Sequence, residues 1–254
     1  MKTFRRAAIL AGAVILLCPL RALAAEPGHW DYEGATGPDH WGAMSKDWAA
    51  CATGKEQSPI DLTGSVKAEP PVTKLSWNMD TVWQAQNTGH DLKLVPEGKK
   101  SAGYIEIGGK RYELLQLRFH APSEHTIEGK HAPMEVHFVH RAADGELAVI
   151  GVMIEAGGTN GLFDRLVATA PRSVGEASFG EARPDALLPW HAEVFYRYAG
   201  SLTTPPCSET VRWTVLKEPL EVSGASIKAY EAMFAPNARP IQSTGRRYIL
   251  ESDD

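Results

Sequence analysis

Hydrophobic and polar positions in this chain alternate far more often than they cycle. The stretch "TVWQAQNTGHDLKLV" (81–95) alternates on both sides of a turn at Asn87-Thr88-Gly89. "GYIEIGGKRYELLQLRFH" (103–120) reads as two strands joined at Gly108-Gly109, a hairpin signal. "MEVHFVHR" (134–141) alternates strictly and returns through Asp144-Gly145 into "ADGELAVIGVMIEAG" (143–157). "ETVRWTVLKEPLEV" (209–222) reads as a further strand. Helical spacing is confined to "NGLFDRLVATA" (160–170), with Asn160 as cap and Leu162, Phe163, Leu166 and Val167 on one face, and to "ASIKAYEAMF" (225–234). The pattern predicts a mostly β domain, one large sheet with short peripheral helices.

The first two dozen residues do not fit that pattern. They carry a basic start (Lys2, Arg5, Arg6), an apolar run from Ala7 to Leu17 and a small-residue site at Ala22-Leu23-Ala24. This predicts a secretory signal over residues 1–24, cut near Ala24 or Ala25. A membrane anchor is the alternative, but a run of about eleven residues falls short of the roughly 20 that span a bilayer. Cys18 follows Leu17 rather than a small residue, against lipoprotein cleavage, and Arg5-Arg6 is only a weak twin-arginine pattern. A single domain over residues 26–254 is expected, exported to a periplasmic or extracellular space.

Removing the signal takes four basic groups and no acids, leaving 22 basic against 31 acidic residues. No basic stripe suggests nucleic acid, and nothing after the signal suggests a membrane. Cys51 and Cys207 remain. In an oxidising compartment an even pair most simply forms one disulfide, two buried free thiols being the alternative. The bridge would close a loop of 156 residues, worth roughly 4–5 kcal/mol by chain entropy.

Five of the nine histidines fall between His120 and His140. Period 2 puts Gln116, Arg118 and His120 on one face of their strand, and Leu115, Leu117 and Phe119 on the other. On the next strand Glu135, His137 and Val139 share a face, with Val136, Phe138 and His140 opposite. Neighbouring strands can thus present His120 and His137 to one point. Catalytic zinc takes three protein ligands and leaves a fourth position open. The place two residues before His120 would suit the third, and it holds Arg118. On spacing alone, a metal site and a set of hydrogen-bonded polar histidines both stay open.

A series of short motifs sharpens the reading: "HWDYEG", "GPDHW", "QSPIDL" (57–62), "NTGH" (87–90), "FHAPSEHTI" (119–127), "PMEVHFVH" (133–140), "LAVIGV" (147–152), "SLTTPPC" (201–207) and "WTVLKEP" (213–219). In this order they resemble the alpha-class carbonic anhydrases, bacterial and exported, along almost the whole chain after the signal. The resemblance implies a large twisted, mainly antiparallel sheet with zinc at the bottom of a cone. It implies reversible hydration of carbon dioxide to bicarbonate by water that zinc acidifies to a pKa of about 7. His120 and His137 then look like the second and third zinc ligands. Thr203 resembles the hydroxyl that orients the nucleophile, Glu124 the carboxylate that accepts from Thr203, and His90 the proton shuttle. Gln116 and Glu135 resemble the outer partners of the first and third ligands. Val139, Val149, Leu202, Trp213 and Thr204 resemble the substrate pocket. Cys51 and Cys207 match the pair that bacterial members bridge.

The departure from the family is Arg118, where His-x-His is the pattern. Arginine stays protonated and offers no lone pair, so it is not expected to coordinate. Two expectations follow. One is a carbonic anhydrase with a compromised zinc site and reduced or lost activity. The other is a non-catalytic, carbonic anhydrase-related binding module, in which Arg118, His120 and His137 line an anion pocket for bicarbonate or another small anion.

Overall fold

The computed structural model describes residues 29–98, 101–234 and 236–252. The signal segment, its cleavage site and Cys18 lie outside the described residues, as do the first and last residues of the expected domain. No helix among the described residues is long and apolar enough to cross a membrane.

The alternating stretches form strands. In chain order these are β1 (Val66–Ala68), β2 (Thr73–Trp77), β3 (Val82–Asn87), β4 (Leu92–Pro96), β5 (Gly103–Ile107) and β6 (Lys110–His120). A small hairpin, β7 (Thr126–Ile127) with β8 (Lys130–His131), stands apart. Then come β9 (Met134–Arg141), β10 (Leu147–Ala156), β11 (Gly175–Glu181), β12 (Phe195–Gly200), β13 (Val211–Leu216), β14 (Leu220–Val222) and β15 (Leu250–Ser252). All but β7 and β8 belong to one 13-stranded sheet, whose main path runs β1-β15-β12-β13-β10-β9-β6-β4-β3-β11. Most pairs are antiparallel. The parallel ones are β1 with β15, and β10 with both β13 and β14. Short helices lie around the sheet: α1 (Trp41–Met44), α2 (Ala50–Thr53), α3 (Gly161–Thr169) and α4 (Gly224–Glu231).

Local chemistry explains several boundaries. Gly108 and Gly109 both have positive φ (58° and 82°), as the tight turn between β5 and β6 demands and side-chain-bearing residues resist. Asn160 caps α3, its side chain accepting from Phe163 N–H at 3.0 Å, and Ser223 caps α4 in the same way. The stretch 209–222, expected as one strand, is two. Both pair with β10, but Lys217 N–H turns away to Val194 O and Pro219 has no N–H to give a ladder.

The sheet separates two cores. One face packs Trp83, Leu92, Leu94, Tyr112, Leu117, Phe119, Phe138 and Ile150 against α3 and α4. The other carries Val139, Val149, Met153, Tyr198, Trp213 and Val215. Strict alternation in β6 would place Leu115 with Leu117 and Phe119. A β-bulge between Leu114 and Gln116 overturns this: Tyr112 and Leu114 are buried, Leu115 is only half-buried, and alternation resumes at Leu117. A disulfide joins Cys51 in α2 to Cys207 beyond β12, with Cα atoms 5.0 Å apart, beside Trp41 and Tyr32.

His140 belongs to the core face. It is fully buried, with Nδ1 2.9 Å from Phe138 O and its ring near Trp77. Burial pushes its pKa down to about 4. An unfolded histidine titrates near 6.5, so the folded value is the lower one. Stability is therefore full above pH 6.5 and is lost as pH falls from 6.5 towards 4, roughly 3 kcal/mol at 1.36 kcal/mol per unit. Urea unfolding across that range should show this slope in the native protein, and His140→Gln should flatten it. An equal slope in both proteins would remove His140 as the cause.

Candidate metal and active site

The β6–β9 register sets the site. Arg118 stands directly opposite His137, and His120 opposite Glu135. On its other side Arg118 pairs with Lys93 of β4. Arg118, His120 and His137 thus share the sheet face that carries Trp213 and Val149, away from the α3–α4 core.

Arg118 is mostly buried, with 12% of its side chain exposed, and holds two partners. Its Nε donates to Asp91 Oδ2 at 2.5 Å, and its Nη1 donates to Thr204 Oγ1 at 3.1 Å. Asp91 is completely buried and also accepts from the Thr88 hydroxyl at 2.5 Å. Burial alone would raise the Asp91 pKa; Arg118 and Lys93 outweigh it, and the carboxyl sits below its ordinary value. Burial and the neighbouring Arg118 push Lys93 down, partly offset by Asp91. Sequence reasoning missed Asp91. Its parity with Lys93, opposite Leu92 and Leu94, was the available signal; the β4–β6 pairing was not.

His120 is held through one ring nitrogen. His120 Nδ1 lies 2.9 Å from the carbonyl of Asn237, which fixes the proton on Nδ1 and leaves the lone pair on Nε2. Burial, only partly offset by Glu124, holds its pKa below the usual histidine value, so the ring is neutral. His137 Nε2 lies 2.9 Å from Glu135 Oε1 without hydrogen-bond geometry, and Nδ1 faces Glu124 Oε2. The ring centroids are 4.6 Å apart. Asn237, also missed from sequence, has every side-chain polar atom engaged: Oδ1 accepts from Ala121 N–H, and Nδ2 donates to the carbonyls of His90 and Phe119 and to the Tyr230 hydroxyl.

Glu135 ties the loop after β6 to the sheet. Its Oε2 accepts from the backbone N–H groups of Glu124 and His125, both at 2.9 Å, and its Oε1 lies 2.8 Å from His125 Nδ1. Burial alone would raise its pKa; His125 and His137 outweigh burial and hold it well below the carboxylate range. Gly151 makes room, since a Cβ there would meet Glu135 Oε1 at 2.7 Å.

Glu124 is fully buried. Oε1 accepts from Arg239 N–H at 3.0 Å, whereas Oε2 has no hydrogen-bond partner among the described residues. The bond from Thr203 that the resemblance implies is therefore not made at Oε2. Instead Oε2 lies 3.6 Å from His120 Nε2 and 3.7 Å from His137 Nδ1. Thr203 and Thr204 are both buried, Thr204 against Arg118. Gln116 shares the face but faces Val139, and the bonds of Arg118 go to Asp91 and Thr204 rather than to it. Val139, Val149 and Trp213 fall in one buried cluster with Leu202 packed on it. His90 stacks on Trp30 with centroids 4.0 Å apart, and His29 lies 5.2 Å away; burial lowers its pKa.

A family model for eukaryotic-type carbonic anhydrases matches residues 36–253. The chain belongs to the alpha carbonic anhydrase family. It is 36% identical over 247 residues to a carbonic anhydrase of Neisseria gonorrhoeae, covering 95% of this chain and 96% of that one. The alpha carbonic anhydrase of Thermovibrio ammonificans, solved with the inhibitor sulfanilamide, superposes with a TM-score of 0.82 at 40% identity, covering 87% and 98% of the two chains. Dioscorin, solved as a complex with ascorbate, matches with a TM-score of 0.77 at 28% identity, covering 88% and 98%. The expected fold, a large twisted and mainly antiparallel sheet, is the family's own.

The Arg118–Asp91 pair changes what a repair of the histidine pattern requires. Arg118→His alone would leave the Asp91 carboxylate buried without its cation. It should destabilise this carbonic anhydrase-family chain by roughly 3–5 kcal/mol, and Asp91→Ser alone should do likewise. The double variant should lose far less than the sum, a coupling of about 2 kcal/mol or more. Chemical denaturation of the four proteins measures it, and additive losses would rule the pairing out.

Proposed function

We propose that this chain is an exported carbonic anhydrase-family protein whose hydration of carbon dioxide is reduced or lost because Arg118 stands at the first zinc-ligand position. One observation carries the reading: Arg118 is engaged with Asp91 and Thr204 on the ligand face, directly opposite His137. A guanidinium there supplies no lone pair, so the three-histidine set is incomplete.

The residues present still fit a divalent metal, since His120 Nε2 and Glu124 Oε2 are buried without partners and converge with His137. His120 and His137 would hold zinc, which when bound acidifies water and so supplies a nucleophile near neutral pH. The chain's own residues do the rest. Asn237 orients the His120 imidazole, and Glu135 lies against that of His137. Val139, Val149, Leu202 and Trp213 give carbon dioxide an apolar wall, with Thr203 and Thr204 as the nearest hydroxyls. His90, stacked on Trp30, carries protons between the site and buffer; its lowered pKa keeps it largely unprotonated at neutral pH, ready to accept.

A second reading has its own support. Among the described residues the guanidinium of Arg118 bonds through Nε and Nη1 only, which leaves Nη2 as donor capacity for an anion such as bicarbonate. Dioscorin, a protein of similar fold, was solved with ascorbate bound.

Protein purified without added metal should carry well under one zinc per chain and hydrate carbon dioxide slowly. Arg118→His combined with Asp91→Ser should raise both zinc content and turnover by orders of magnitude. Elemental analysis and stopped-flow hydration assays read the two quantities. A full zinc and rapid turnover in the native protein would refute the reading of Arg118. A double variant that gains zinc but no activity would favour the anion-binding reading.

In the zinc-loaded double variant, His90→Ala should slow turnover in weak buffer, and added imidazole should recover part of the rate. An unchanged rate in weak buffer would remove His90 as the shuttle.

A further inference from the structure

Three buried groups lie around the displaced ligand. Two of them, His120 and Glu124, are hydrogen-bonded through one polar atom and leave the other free. His120 is held at Nδ1 by Asn237 O and Glu124 at Oε1 by Arg239 N–H, while His137 Nε2 only approaches Glu135 Oε1, at 2.9 Å and outside hydrogen-bond geometry. The free atoms converge. Glu124 Oε2 lies 3.6 Å from His120 Nε2 and 3.7 Å from His137 Nδ1, and all three lie within 4.8 Å of one another. Tetrahedral zinc, with bonds of about 2.0–2.1 Å, puts its ligand atoms roughly 3.3–3.4 Å apart. Small inward movements of the carboxylate and of both imidazoles would close the remaining gaps.

The neighbouring cluster of His125, Glu135 and His137 makes a useful contrast. There both nitrogens of His125 are matched: Nδ1 lies 2.8 Å from Glu135, and Nε2 lies 2.6 Å from the Tyr198 hydroxyl. That cluster is a supporting network with little lone-pair capacity left. In the first cluster, His120 Nε2 and Glu124 Oε2 are completely buried and unpartnered among the described residues. Leaving such atoms unmatched is costly unless something else meets them.

We propose that Glu124 serves as the third protein ligand of a divalent metal held with His120 Nε2 and His137 Nδ1, taking over the role that Arg118 gave up. Two histidines and a glutamate form an established catalytic zinc set that leaves one position open. Charge favours it as well. Asp91 offsets the Arg118 cation, and a carboxylate ligand would bring a negative charge that a third imidazole lacks. The assignment deepens the reading of a compromised carbonic anhydrase and rests on it only for the presence of a metal. A Glu124 bound to metal is no longer free to accept from Thr203, which would itself slow hydration.

The test uses cobalt(II) as the probe, added to the purified native protein, to Glu124→Gln and to Thr203→Val. Native protein should bind cobalt with the intense visible bands of four-coordination. Glu124→Gln should weaken binding by roughly 10²-fold or more, at or beyond the upper end for loss of a merely supporting partner, and should change the bands. Thr203→Val should leave affinity and spectrum as in the native protein, which separates coordination by Glu124 from a role exerted through Thr203. Infrared difference spectra of the native protein with and without zinc provide a readout that needs no variant, since carboxylate stretching bands shift on coordination. Native affinity and spectrum in Glu124→Gln, or no carboxylate shift on zinc addition, would overturn the assignment and leave the reduced-carbonic-anhydrase reading standing. Failure of native protein to bind cobalt at millimolar concentration would also overturn the assignment, and would leave a family member that has lost hydration or an anion pocket.

Discussion

A guanidinium cannot be buried in a sheet without a counter-charge, and the neighbourhood of the site is arranged around that constraint. Desolvating an unpaired charge is prohibitive, whereas a paired and hydrogen-bonded one is tolerated. Arg118 meets the condition through Asp91, with Thr204 taking a second donor and Thr88 a second acceptor. The pair spans β4 and β6, adjacent strands in the sheet, so it is built into the ladder rather than laid on the surface. Lys93, in register with Arg118, senses the same charges and its pKa is lowered. Arg118 and Asp91 thus form one buried unit shared by two adjacent strands of the family fold.

The rest of the site depends on a different kind of order, the satisfaction of backbone and side-chain polar groups behind the histidines. Asn237 joins β6, the His90 loop and Tyr230 in one hydrogen-bonded knot. Glu135 binds the loop after β6 through two backbone N–H groups and the His125 imidazole, and lies against that of His137. These contacts fix ring orientation whether or not a third histidine exists. A pocket built this way can lose one ligand and keep the geometry of the others, because the anchoring atoms belong to the scaffold and not to the missing residue.

Much of this was legible in the sequence, for definite reasons. Period 2 put His120 and His137 on one face of adjoining strands, and put Phe119, Val136 and Phe138 in the opposite core, where they lie. Gly108-Gly109 and Asn160 marked a turn and a cap that the backbone confirms. What escaped was non-local. A bulge at Leu115 cannot be read from alternation, since it is a mismatch with the partner strand and not a property of β6. Strands β11 and β12 lack a clean alternation: β11 is exposed at several positions, while β12 is buried on both faces. Asp91 looked like a polar residue at a strand start, and only the β4–β6 register turns it into the partner of Arg118. Asn237 and Arg239 lie more than a hundred residues from the groups they hold, with no periodic signal to announce them.

Charge links these observations. In a three-histidine site the dication faces neutral ligands, and carboxylates stand behind them. Here a guanidinium stands on the face shared with His120 and His137, with one acid beside it and another, Glu124, with an unmatched oxygen near both histidines. If Asp91 were absent, the guanidinium would repel any metal at that point, and Glu124 would be drawn to Arg118 as its nearest available anion. With Asp91 in place, Arg118 is electrostatically closed and Glu124 stays free to face the histidines. The same aspartate that makes the substitution tolerable for folding is thus what leaves the remaining ligand atoms open to a cation.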